Sequence, residues 1–98
     1  MILKIDGNEY NILDLDVVDD YSNPVAEVHL TNGSWDWFVV AGEELNSGDY
    51  YLFGLVNGFV KELGFFTLSE IVNTGAVVVD DFEAVGMYDI YDDFDLRK

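Results

Sequence analysis

His29 is the only histidine in the chain, and in a strand its same-face neighbours are Glu27 and Thr31. An imidazole beside a carboxylate could do acid–base work, because imidazole titrates near neutral pH. That chemistry also needs a pocket and a placed substrate, and nothing in the flanking sequence supplies them. A surface histidine is the simpler account. No nucleophile motif surrounds Ser22, Ser34, Ser47 or Ser69, and the absence of cysteine excludes disulfides, thiol chemistry and thiolate-bound zinc. The expectation is a protein that is not an enzyme.

Carboxylates are the other groups able to do chemistry. Asp14, Asp16, Asp19 and Asp20 suggest calcium, but an EF-hand loop needs oxygen ligands at fixed offsets with a glycine in sixth place. Counting from Asp14, Val18 and Asp19 fall in the fifth and sixth places, so the pattern fails. Asp92, Asp93 and Asp95 fit no better. Neither GxGxxG nor a P-loop occurs, so no cofactor or metal is expected.

What remains is charge. Twenty acidic residues against four basic ones give a formal net charge of −16, beyond the magnitude of about 2 to 8 that keeps a small domain in solution. Such a field repels DNA, RNA and anionic membranes and attracts basic surfaces. The acids concentrate at the two ends: Asp14, Asp16, Asp19 and Asp20 in one segment, and Asp80, Asp81, Glu83, Asp89, Asp92, Asp93 and Asp95 in the other. These eleven residues are the candidate partner-binding set.

A solvated surface would intersperse lysines, and only Lys4, Lys61, Arg97 and Lys98 are available. Same-face carboxylates on a strand lie about 6.6 to 6.8 Å apart, and each strand of a duplex carries a phosphate every 3.4 Å or so. Two adjacent acidic segments could therefore present a phosphate-like density. Tyr10, Tyr21, Phe82, Tyr88, Tyr91 and Phe94, interspersed among the acids, could add contact area in a partner.

The elements that must position these groups read mainly as hairpins. Ninety-eight residues, half of them apolar, suit one domain spanning residues 1–98. Asp6-Gly7-Asn8, Asn32-Gly33-Ser34 and Asn57-Gly58 are turn signals between apolar runs, and Asn-Gly favours the positive φ angles of tight hairpin turns. Ile12 to Val18 alternates as a strand, with Leu13, Leu15 and Val17 on one face and Asp14 and Asp16 on the other. Pro24 predicts an extended Asn23. Trp35 to Ala41 is apolar on both sides, as an internal strand would be, and Trp35 and Trp37 share a face, where core packing explains them better than a ligand platform. Gly42 to Asp49 reads as an exposed acidic loop.

Phe65 and Phe66 point to opposite faces of their strand. Thr67-Leu-Ser-Glu70 fits a capping box and predicts a helix from Leu68 to about Asn73, ended by Gly75, with Ala76 to Val79 returning to strand. The tail from Asp80 to Lys98 fits either period. As a strand it groups Tyr88, Ile90, Phe94 and Leu96; as a helix it groups Met87, Ile90, Tyr91 and Phe94. The fold class expected is α+β, an antiparallel sheet of hairpins with one or two short helices.

The longest run without a charged residue, Tyr50 to Val60, has eleven residues, against about 20 for a membrane-spanning helix. No span is expected. Met1 to Tyr10 lacks the basic start and long apolar run of a secretion signal, so residence in the cytoplasm is the default.

Trp35-Asp-Trp37-Phe38, Gly48-Asp49-Tyr50, Phe53-Gly-Leu-Val56 with Gly58-Phe59, and Lys61-Glu-Leu-Gly-Phe-Phe-Thr-Leu-Ser-Glu70 together resemble an uncharacterised family of small proteins carried by phages, plasmids and other mobile elements. The resemblance covers Trp35 to about Ile71. It brings no catalytic residues and implies a mobile-element setting, often near genes that counter host restriction. Charge and setting together predict an acidic inhibitor that mimics nucleic acid and occupies the nucleic-acid-binding surface of a host defence nuclease complex, as an anti-CRISPR or anti-restriction protein. The alternative is an accessory interaction module that binds a basic partner without mimicry.

Overall fold

Strand β6, Asp36–Glu44, explains the rest of the architecture. Its residues Trp37, Phe38, Val39, Val40 and Ala41 are all buried, which requires a covering layer on each side of the sheet. The computed structural model describes residues 1–18 and 23–90. Before β6 come β1 (Ile2–Ile5), β2 (Asn8–Asn11), β3 (Leu13–Asp14), a 3-10 turn (Leu15–Val17), β4 (Val25–Ala26) and β5 (Val28–Thr31). After it come β7 (Tyr50–Asn57), β8 (Lys61–Thr67), α1 (Leu68–Asn73), β9 (Val77–Val78) and β10 (Val85–Gly86), and residues 87–90 are helical.

The main sheet runs β8-β7-β6-β5-β9 with antiparallel neighbours. One edge of β6 serves two partners. Its first half pairs with β5, and its second half pairs in parallel with β3, Leu13 opposite Ala41 and Asp14 opposite Gly42. Two small antiparallel pairs, β1–β2 and β4–β10, stand beside the sheet. The result is a small α+β fold dominated by antiparallel strands.

Each face has its own core. On one, Leu3, Ile5 and Ile12 from the N-terminal hairpin and Ile71 of α1 pack on Leu30, Trp37, Val39 and Leu52. On the other, Met87 and Ile90 pack on Phe38, Val40, Phe53 and Leu55, with Leu15, Val18, Phe82, Val85 and Tyr88 around them. The register of β6 against β7 slips between Val39 and Ala41, which turns both Val40 and Ala41 toward this second core. The slip depends on Gly54, because a Cβ there would fall onto the Phe38 carbonyl.

The three hairpins form where turn residues occur, yet the central turn works differently from its sequence signal. Asp6 and Gly7 have φ of 52° and 83°, the positive pair of a two-residue turn. Neither Asn57 nor Gly58 has a positive φ. The strands close at Asn57 opposite Lys61, leaving Gly58-Phe59-Val60 as the loop. Glycine is required at 58 for proximity: a Cβ would lie 2.5 Å from the Trp35 ring.

Other expectations are corrected. Ile12 to Val18 is not one strand; β3 ends at Asp14, the 3-10 turn follows, and Ile12 rather than Leu13 is buried. Glu43 and Glu44 extend β6 instead of starting a loop. Asn23 adopts φ 51°, not an extended conformation, and its side-chain carbonyl accepts from the Tyr88 amide at 2.7 Å. The capping box at Thr67 forms as its sequence indicates, with Thr67 Oγ1 accepting from the Glu70 amide and Glu70 Oε1 from the Thr67 amide. In the tail, β10 is followed by the helical residues 87–90, which bury Met87 and Ile90 and expose Asp89, as the helical period requires. No helix among the described residues is long and apolar enough to cross a membrane.

Candidate functional site

The lone histidine has a partner, and it is not Glu27. Nε2 of His29 lies 2.7 Å from Oδ1 of Asp36. The short turn after β5 sets Thr31 opposite Asp36 and His29 opposite Phe38, so Asp36 is the diagonal neighbour of His29 on the same face. The imidazole stacks on Phe38 with ring centroids 4.2 Å apart, and Phe82 meets its edge at 5.6 Å. His29 and Asp36 are 17% and 24% exposed, so the pair is half-buried. Asn57 Nδ2 approaches the second Asp36 oxygen at 3.5 Å. With one ring face stacked on Phe38 and the carboxylate bound in this way, the arrangement ties the two strands of the hairpin together.

A depression of about 490 Å³ opens beside His29, next to the pairing of β5 with β9. Its walls include Glu9, Glu27, His29, Asp80 and Phe82. A second depression, about 630 Å³, is lined by Asp14, Leu15, Asp16, Glu43, Glu44 and Phe65. Each gathers acids from segments remote in sequence. Among the described residues no group of three or more His, Cys, Asp or Glu side chains is arranged to hold a metal ion.

The candidate partner-binding residues divide as follows. Asp14 is exposed and pairs at 3.0 Å with the N-terminal ammonium of Met1. Asp16 is exposed in the 3-10 turn beside it. Asp80, Asp81 and Glu83 are exposed on the connection between β9 and β10, and Asp89 is exposed on the helical turn, where Asn23 Nδ2 reaches it at 3.5 Å. Asp19, Asp20, Asp92, Asp93 and Asp95 lie outside the described residues. Asp14 and Asp16 share a depression with each other but not with Asp80. Asp14 reaches the Met1 ammonium and Asp80 shares its depression with Tyr10 and Val78, residues that pack on the first core, but the neighbours of both acidic segments also meet the second. Leu15 and Val18 from one, and Phe82, Val85 and Tyr88 from the other, pack against the same core.

Glu9, Glu43 and Glu44 are not among the sequence candidates, and Glu27 is weighed there only as the acid–base neighbour of His29. Strand pairing was the signal available for Glu43, which sits opposite Tyr51. Two aromatic features also emerge. Trp35 and Trp37 stack at 6.0 Å, and the outer ring meets Phe59, 93% exposed at the hairpin tip. Phe66 is buried while Phe65 stays 57% exposed, its ring stacked on Tyr51 at 5.4 Å.

Comparison with protein-family models, curated proteins and solved structures finds no match to this chain.

Proposed function

We propose that this protein is a non-enzymatic inhibitor whose acidic surface takes the place of nucleic acid on a host defence nuclease complex, in the manner of an anti-CRISPR or anti-restriction protein. The observation that carries the reading is the common seating of the two acidic segments. Leu15 and Val18 beside the first acidic segment and Phe82, Val85 and Tyr88 in the second pack against one core, and Asp14, Asp16, Asp80, Asp81, Glu83 and Asp89 are exposed on those segments. Glu43 extends the first group. A net charge of −16 speeds approach to a basic groove and makes the complex sensitive to salt. The resemblance of the Trp35–Ile71 block to proteins of mobile elements supports the setting.

The test is competition. The purified protein is added to a candidate nuclease complex with labelled DNA at low and at raised salt. Displacement of DNA that weakens with salt supports the reading, and a ternary complex with DNA still bound refutes mimicry. A second reading, an accessory module on a basic partner, draws on the exposed Phe59 and Val60 at the hairpin tip, because a phosphate mimic has no need of an apolar tip. The ternary complex is its expected outcome.

A further inference from the structure

The depression beside Phe65 differs from a plain acidic surface. The Phe65 ring is part of its wall. Phe65 projects from β8, its ring parallel to that of Tyr51 within 10° and tilted against Phe53 at 5.1 Å. These residues face the same side of the sheet as Glu43, which is the cross-strand partner of Tyr51. A phenylalanine ring 57% exposed costs solvation free energy and recovers only part of it from one stacked neighbour. The ring and its stacked neighbour Tyr51 leave aromatic surface open beside the depression.

The carboxylates around the ring are open as well. Asp14 is committed to the Met1 ammonium at 3.0 Å. Asp16, Glu43 and Glu44 make no ion pair among the described residues. An aromatic face beside carboxylates that make no ion pair among the described residues complements one side chain above others. Guanidinium is planar and weakly hydrated, stacks on a ring and donates two parallel hydrogen bonds to a carboxylate. An ammonium can make the ion pair but stacks less well and cannot bind bidentately.

We infer that the Phe65–Tyr51 face, flanked by Asp16 and Glu43, receives an arginine side chain of the protein partner. This inference rests on the reading that the partner surface is basic, and it names the residue that anchors there. Arginines that hold phosphates in a nucleic-acid groove are suited to it, since the same planar donors serve both anions. Charge complementarity sets the occupant: a second copy of this chain, also at −16, would be repelled.

The experiment titrates the full chain with an arginine octapeptide and a lysine octapeptide by calorimetry at two salt concentrations. Long-range attraction treats the two peptides alike, so the expected result is tighter binding of the arginine peptide by several-fold. Phe65→Ala should weaken the arginine peptide by about 3- to 30-fold, the range of a cation–π contact, and remove most of the preference. Phe65→Trp should retain it, and Glu43→Gln should reduce it. Far-UV circular dichroism and the urea midpoint establish that each variant is folded, and the tryptophan variant tests the ring where the alanine variant is unstable. Equal binding of the two peptides by the wild-type chain overturns the inference, as does a preference that survives Phe65→Ala. If the preference holds while DNA is not displaced from any complex, mimicry fails and the arginine site stands.

Discussion

His29 and Asp36 meet at 2.7 Å across the β5–β6 hairpin, a diagonal contact fixed by the register that sets His29 against Phe38. The bond joins two half-buried groups, so removing one partner leaves the other short of a hydrogen bond in a site with restricted water. Asp36→Ala is expected to lower stability by about 1 to 2 kcal/mol, measured from the urea midpoint. Asp36→Asn keeps an oxygen acceptor and should cost less. If the two substitutions cost the same, the carboxylate charge rather than an oxygen acceptor makes the contact; if neither costs anything, the contact is incidental to folding.

The close approach of Gly58 to Trp35 separates two roles that glycine can play. A Cβ at 58 would lie 2.5 Å from the indole, whereas one at Gly64, in the neighbouring strand, would meet nothing within 4 Å. Gly58→Ala should therefore cost about 1 to 3 kcal/mol by displacing the ring and change tryptophan fluorescence. Gly64→Ala should be neutral, or stabilising by up to about 1 kcal/mol through the unfolded chain. A silent Gly58→Ala would show that Trp35 moves aside freely.

Legibility in the sequence followed the range of the interaction. The capping box at Thr67 and the turn at Asp6-Gly7 are decided within four residues, and both form as the local chemistry dictates. Trp35 to Ala41 was recognisable as internal because both of its faces are apolar. The path from Ile12 to Val18 was not, since β6 takes β3 as a parallel neighbour only beyond the end of β5, a placement no alternation pattern carries. The same limit applied to the site. Glu27 is near His29 in sequence, but pairing across the turn delivers Asp36, and it likewise delivers Glu43 to Tyr51 and Phe65 to Phe53.

Asp49 links the loop after β6 to the start of α1 and should register in acid unfolding. The Ser69 hydroxyl donates to Asp49 Oδ2 at 2.5 Å. This bond, with the amides of Tyr50 and Ser69, holds the carboxyl below its ordinary value of 3.8 against a smaller opposing effect of burial. A folded-state value below the unfolded one adds stability that is full above 3.8 and is lost as pH falls through the folded value. Ser69→Ala should therefore be less stable than wild type near neutral pH, with the gap narrowing once pH falls below about 4. A gap independent of pH would assign the loss to helix capping alone.

Salt should act in opposite directions on folding and on binding. The chain has four lysines and arginines against twenty acids; Lys4 lies 4.0 Å from Glu9, and the Met1 ammonium is held by Asp14. With a net charge of −16, mutual repulsion opposes the compact state. Raising sodium chloride from 0.01 to 0.1 M shortens the screening length from about 30 to about 10 Å, so repulsion across the domain weakens while contacts in the two cores are little changed. The urea midpoint and the melting temperature should both rise over this range. Affinity for a basic partner should fall over the same range, because the attraction that guides the encounter is screened by the same ions. Removing charge separates the two effects: Asp80→Asn with Asp81→Asn should raise stability at low salt and weaken partner binding. If stability instead fell with salt, local ion pairs rather than global repulsion would govern the fold.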